Sequence, residues 1–176
     1  MTHYRRISLY RFRWLRRIRY GRGRGVHSPK AYRMVQMLVR PYARYYHFDE
    51  YYPLFSRSLH LLIYRTVARV PLREVVLIDQ DKSVETIVRL ASSSVPITYQ
   101  LPHDLDRVLV VTSNIEAIDI TDSTYLIFTD IRKTKETARV FKKWVGSIPQ
   151  GIVLDLYDTA LVAGMDKVKY VYRTTF

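Results

Sequence analysis

Cysteine is absent from the 176 residues, which excludes a disulfide frame, a thiolate nucleophile and a cysteine-based zinc site. A reducing compartment agrees with that absence, and the cytoplasm is the expected location. Nowhere do 18 apolar residues run together, so no transmembrane helix is expected. The N-terminus has no apolar core of the signal-peptide kind. It is Arg-rich and acid-free, but its aromatics and scarce serines speak against a transit peptide. Glycine is scarce too, and three of the six stand together as Gly21, Gly23 and Gly25. Acids are thinnest at the start. Residues 1–73 hold only Asp49 and Glu50 against 17 Lys and Arg, a surplus of +15, whereas residues 74–176 hold 14 acids against 12 Lys and Arg. Such a basic first half on a near-neutral second half suggests a surface that faces a polyanion. The hydrophobic content of 48% is enough for a core and excludes general disorder.

Three segments follow from these shifts: a basic arm (1–24), a helical region (25–73) and an α/β domain (74–176). In the arm, Ile7, Tyr10, Trp14 and Ile18 share a helical stripe, while Tyr10, Phe12 and Trp14 also alternate with Arg11 and Arg13 as in a strand. A basic amphipathic helix is the favoured reading. Arg5, Arg6, Arg11, Arg13, Arg16, Arg17 and Arg19, with Trp14 among them, can contact phosphates and stack on bases. The same residues suit an anionic membrane surface. They also suit a helix docked on its own domain with solvated arginines. The turn Gly21 to Pro29 blocks a continuous helix, and Ser28-Pro29 is a strong helix start. It is either a capped linker or an anion-binding turn made by Arg22, Arg24, His27 and Ser28.

Spacing predicts a helix from Pro29 to Val39, stopped by Pro41, then a tyrosine-rich connection to Phe55 and a second helix from Ser58 to Val70. The tyrosines read as buried rings capped by hydroxyl bonds, with a base-stacking platform as the alternative. After Pro71 the texture changes. Glu74 to Asp79 is an apolar run closing on an acid, as in buried parallel strands. Ser83 is expected to cap a helix burying Val84, Ile87, Val88 and Ala91. Strands are expected at Val95–Gln100, Arg107–Thr112 and Thr124–Thr129. A helix from Thr134 to Val145 is stopped by Gly146. The end reads as adjacent strands, Ile152–Tyr157 with Leu161 to Ala163, and Lys169–Thr174. The sum is an α/β sandwich with a partly antiparallel edge.

Candidate chemistry is sparse. Asp130 offers itself as a metal ligand or general base, yet no histidine or second carboxylate stands near it, and a helix cap or surface acid is the plainer reading. His3, His27, His47, His60 and His103 show no metal-ligand spacing. Neither a Walker loop nor a Ser-His-Asp arrangement is legible. Asp155 and Asp158 read as structural.

Several patches share one likeness. Gly25-Val26-His27-Ser28-Pro29 with Tyr32, and the Tyr45-Tyr46 pair before Phe48, resemble the N-terminal signature of a Bacteroidetes family described as class I S-adenosylmethionine-dependent methyltransferases. Ile127 to Ile131 before a helix resembles that family's fifth strand. Ile152 to Tyr157, Leu161-Val162 and Tyr170 to Arg173 resemble its closing hairpin. The resemblance implies a seven-stranded Rossmann-like methyltransferase sheet, with the cofactor over the carboxyl end of the first strand. Glycines there let the backbone approach, and an acid ending the second strand holds the ribose. This sequence departs from that pattern. Gln80-Asp81-Lys82-Ser83 has no glycine, Tyr99-Gln100 offers no carboxylate, and Thr112-Ser113-Asn114 lacks the acid expected after the next strand. Too little chain separates Gln100 from Arg107, so a reduced sheet and a closed or reshaped pocket are expected. Should a pocket survive, Asp79, Asp81, Ser83 and Asp130 are its cofactor candidates, with capping as the competing role of Asp79 and Asp81. The expectation is a degenerate methyltransferase-like protein without bound cofactor, its role carried by a basic arm for RNA or another polyanion. A working methyltransferase with an unusual loop, using S-adenosylmethionine, is the alternative.

Overall fold

A computed structural model describes residues 26–40, 45, 47–115, 118 and 120–174. Arg22, Arg24 and the whole arm lie outside the described residues.

Ser28 starts the first helix as expected. Its hydroxyl accepts the Ala31 N–H, and Pro29 opens α1 (Pro29–Met34), which continues as a π-helical turn over Val35–Val39. Two one-turn helices, α2 (His47–Glu50) and α3 (Tyr52–Phe55), lead into α4 (Ser58–Arg69). From the tyrosine-rich connection, half-buried Tyr45 joins Phe48, Phe55 and, from α4, Tyr64 in an aromatic cluster with centroids 4.6 to 5.3 Å apart. The Arg69 Nε donates to the Tyr45 hydroxyl at 2.5 Å, while Tyr51 stays exposed.

The rest alternates strand and helix: β1 (Glu74–Leu77), α5 (Lys82–Ala91), β2 (Ile97–Thr98), β3 (Val108–Thr112), β4 (Tyr125–Phe128), α6 (Lys135–Ser147), β5 (Gly151–Asp155), β6 (Ala160–Ala163) and β7 (Lys169–Arg173). They form one seven-stranded mixed sheet in the order β2-β1-β3-β4-β6-β5-β7. Strands β1 to β4 are mutually parallel, and β6 runs antiparallel to both β4 and β5. Strand β7 lies parallel to β5 at the outer edge.

Four expectations change. The antiparallel strand is interior, not an edge, because β6 pairs with β4 as well as with β5, and β7 takes the edge in parallel. The sheet is not short of strands. No helix or strand intervenes between Thr98 and Val108, but β7 brings the total to seven. The cap of α5 is Asp81, whose carboxylate accepts the Ser83 N–H. Gly146 lies inside α6, which closes on Ile148.

Each sheet face has its own core. Helices α1, α4 and α5 cover one, burying Leu38, Leu62, Ile63 and Ile87 against Leu109, Ile127, Ile152 and Leu154. The other is covered by α6, with Phe141 and Trp144 on Val110, Phe128, Val153 and Val162. Phe128 meets Trp144 edge-on at 4.8 Å. The thirteen-residue α6 is fixed at its start by a reciprocal capping box between Thr134 and Thr137.

The link from β6 to β7 must pass the start of β5, and two bare backbones allow it. Gly151, at φ +103°, donates its N–H to Asp166 O, and a Cβ there would stand 2.8 Å from Ala163 O. At Gly164 a Cβ would stand 1.7 Å from the Thr121 carbonyl oxygen. Gly164→Ala must therefore push backbone from backbone. Chemical denaturation is expected to show a loss of about 1–3 kcal/mol, the usual range for overpacking.

Candidate functional site

The chain leaves β1 for β2 on one side and returns to β3 on the other, so the order reverses between β1 and β3. In open α/β sheets ligands occupy the crevice outside the carboxyl ends of the strands at such a switch. A cleft of about 650 Å³ opens there, its wall including Arg57, Asp79, Gln80, Asp81, Ser113 and Asp130. Of the two expectations, closed or reshaped, the open cleft removes the first. Three of the four cofactor candidates, Asp79, Asp81 and Asp130, line the cleft, and Ser83 stands behind its wall.

The local bonds define what these acids do. Asp79 Oδ2 accepts the Ser113 N–H at 2.6 Å, tying the end of β1 to the end of β3. Gln80 takes φ +50°, a left-handed conformation in which a side chain is disfavoured and a glycine is not. Asp81 Oδ1 accepts both the Ser83 N–H at 2.8 Å and the Ser83 hydroxyl at 2.7 Å. The Ser83 hydroxyl, then backbone N–H groups of Ser83 and Val84 and nearby His60, hold the Asp81 carboxyl below its ordinary range. Asp130 is exposed at φ +54° and lies 3.7 Å from the Lys133 ammonium in a solvated pair. Such pairs contribute little. It does not cap α6; Thr134 does.

Sequence spacing gave no hint that His60 joins this edge. It is buried on α4, with Nδ1 2.5 Å from Leu54 O and Nε2 3.4 Å from the Ser83 hydroxyl. A carbonyl against Nδ1 means that this nitrogen carries a proton and donates to it. Acid, serine and histidine are therefore adjacent, but in the wrong order for a nucleophile. In a catalytic triad the acid orients the histidine; here it takes the serine proton at the shorter distance, and a backbone carbonyl orients the ring. The group pins α5 to α4.

The other acid of note is Asp155. Arg132 grips it bidentately at 2.7 and 2.5 Å, and Arg173 approaches to 3.6 Å. Arg132 also donates to Tyr157 O and lies over the Tyr157 ring. The end of β5 is thereby fastened to the loop before α6.

Of the residues assigned to an anion-binding turn, His27 is exposed and Ser28 is buried. The Ser28 N–H donates to the Tyr172 hydroxyl at 3.1 Å, and Lys30 reaches Met165 O at 3.2 Å. These contacts dock the turn on β7 and the link before it.

Some features that the resemblance implies for an S-adenosylmethionine site are absent from this cleft. Beside β1 stands the Gln80 side chain where backbone should approach. At the end of β2, Tyr99 donates to Glu85 at 3.1 Å and no strand-end carboxylate is present. Asp79 and Asp81 already accept bonds from the protein itself. Among the described residues no group of His, Asp or Glu is arranged to hold a metal ion, and no helix is long and apolar enough to cross a membrane. No family model, curated protein or solved structure matches this chain.

Asp81→Ala removes the α5 cap. The exposed site puts the expected loss near the low end of the usual cap range, about 0.5–1 kcal/mol at pH 7. Because the folded-state value lies below the ordinary 3.8, the contribution of Asp81 is complete above that pH and is lost as pH falls through the folded value. Urea titrations from pH 7 to pH 2 should show the two stability curves converging in acid.

Proposed function

We propose that this protein is a Rossmann-like, methyltransferase-related α/β domain that has given up its cofactor, and that it acts in the cytoplasm through a basic arm that binds RNA or a similar polyanion. The observation that carries this reading is the separation of charge. Thirteen Lys and Arg precede the first acid, Asp49, whereas residues 49–176 hold 16 Lys and Arg against 16 acids. The cleft at the switch point is lined by three aspartates and one arginine. A phosphate-bearing ligand is repelled there and attracted to the arm.

In the arm, nine arginines lie between Arg5 and Arg24, with Tyr10, Phe12 and Trp14 among them. Guanidinium forks match phosphate oxygens bidentately, and rings stack on unpaired bases without demanding a sequence. Asp79 and Asp81 support the loss of the cofactor, because each already holds neighbouring backbone in place, Asp79 at Ser113 and Asp81 at Ser83. A working methyltransferase remains the second reading. The 650 Å³ opening favours it, being of cofactor size.

Isothermal titration with S-adenosylmethionine separates the two readings: no heat of binding is expected, and micromolar affinity would overturn the loss of cofactor. For the arm, about five arginines on single-stranded phosphates at about −0.7 each give a slope near −3.5 for log affinity against log salt. Deleting residues 1–20 should abolish RNA binding and leave the thermal melt in place. Full binding by the truncated protein, or an affinity indifferent to salt, would reject the arm. Binding to anionic vesicles but not to RNA at matched salt would turn the assignment to a membrane surface.

A further inference from the structure

A second opening lies on the opposite sheet face, between α6 and β7. Its volume is about 290 Å³, and its floor is apolar, made by Ile131, Ala138, Phe141, Val145 and Val171. That is too small for a nucleotide cofactor and suited to one large side chain. Polar clamps close both ends. At one, the Lys169 ammonium donates to the Val145 and Gly146 carbonyls at the C-terminus of α6. At the other, Arg132 and Arg173 converge on Asp155. The groove between them is therefore set by bonds that exist before any ligand arrives.

One wall of the groove is a sheet edge. Strand β7 pairs with β5 alone among the described residues. Its side chains alternate. Tyr170 and Tyr172 stack on the face covered by α1, while Val171 is 50% exposed on the α6 side, with Val168 54% exposed just before the strand. An unpaired strand edge beside an apolar pocket is the arrangement that takes an added strand: backbone bonds supply affinity and the pocket reads alternate side chains.

Charge selects the occupant. Lys142, Arg132 and Arg173 stand around the groove, and its one acid, Asp155, is already taken by the two arginines. Along α6 run Lys135, Arg139, Lys142 and Lys143, opposed only by Glu136, which Arg139 holds at 3.1 Å. A second copy would bring like charge to like charge, and the arm of this chain carries the same sign. Bases and phosphates find an apolar floor with no stacking ring exposed. We propose that this groove docks an extended peptide of a partner protein, with a large apolar side chain in the pocket and acidic residues flanking it. The inference is independent of the arm and of the cofactor question.

A displayed library of random octapeptides, selected on the full-length protein with excess polyphosphate to occupy the arm, tests it. Enrichment of sequences with a large apolar residue flanked by Asp or Glu is expected. Against a labelled consensus peptide, Ala138→Trp, which fills the pocket, should weaken binding by about tenfold or more, as expected for a lost anchor. Lys142→Glu, on the exposed rim, should weaken it by about fivefold, and more at low salt. The rim variant disturbs no internal bond, so it remains informative if Ala138→Trp fails to fold. No enrichment, basic consensus sequences, or unchanged affinity for Lys142→Glu would overturn the proposal. So would an RNA oligomer whose binding falls as much as the peptide's in Lys142→Glu.

Discussion

Strands that point apolar side chains to both faces cannot leave either face in water. That requirement organises the molecule. Strands β3, β5 and β6 are buried along their whole length. On one face, α1, α4 and α5 provide the cover, so the described helices before β1 are part of the main core and not an appendage to it. Fully buried Leu38, Leu62 and Ile63 each contribute roughly 1.5–3 kcal/mol by leaving water. Among the described residues the opposite face has one helix. Phe141 and Trp144 seal its centre, but α6 is too narrow to reach over β7, and the thinly covered strip beside Val171 follows directly. Among the described residues, three helices thus close one face, and the single helix on the other leaves a groove.

At the switch point the same groups could serve a ligand or the fold. Asp79 spends its carboxylate on the Ser113 N–H, and Asp81 spends its own on the first turn of α5. At this exposed site the Asp81 cap contributes about 0.5–1 kcal/mol, so the fold alone gives these acids a reason to be where they are. The backbone agrees. Gln80, Asp130 and Tyr157 take positive φ just beyond β1, β4 and β5, at the carboxyl edge of the sheet. Each carries a side chain where a glycine would be unstrained, and each is held by neighbouring bonds. This edge is shaped by contacts internal to the protein, and the cleft is what those contacts leave over.

Much of the architecture was legible because local signals agreed. The runs Val75 to Leu77, Val108 to Val111 and Leu126 to Phe128 are apolar, short and bounded, and each is a buried strand. Ser28-Pro29 and Thr134 begin helices as their chemistry dictates. The errors came where two local signals competed or where the deciding partner was remote. Asp81 and Ser83 are both good caps, and only the geometry shows the first capping and the second bonding to it. Gly146 looked like a stop, but Ile148 and Pro149 end the helix. The interior position of β6 could not be read from Ala160 to Ala163, since an apolar strand has the same composition in the middle of a sheet or one place from its edge. For the site, Asp79 and Asp81 were visible as strand-end acids. Their partner Ser113 and the neighbouring His60 were not, being brought there by separate elements.

Cations in the folded part are largely committed. Arg65 donates to the Leu38 and Val39 carbonyls, Arg73 pairs with Asp104 and Glu74, Arg132 with Asp155, and Lys169 with the end of α6. Behind them stands an equal count of acids, so residues 49–176 carry no surplus to offer at long range. The rim of the α6–β7 groove therefore acts only at contact distance, where placement of Lys142 and Arg173 matters more than net charge. The first 48 residues differ in kind. With thirteen cations and no acid, their charge cannot be balanced from within the segment, and the neutral remainder cannot balance it either. Counterions must do so in the free protein, and their release to solvent is what a polyanion gains on binding. On the proposed reading, long-range attraction falls to the basic first 48 residues and short-range selection to the groove.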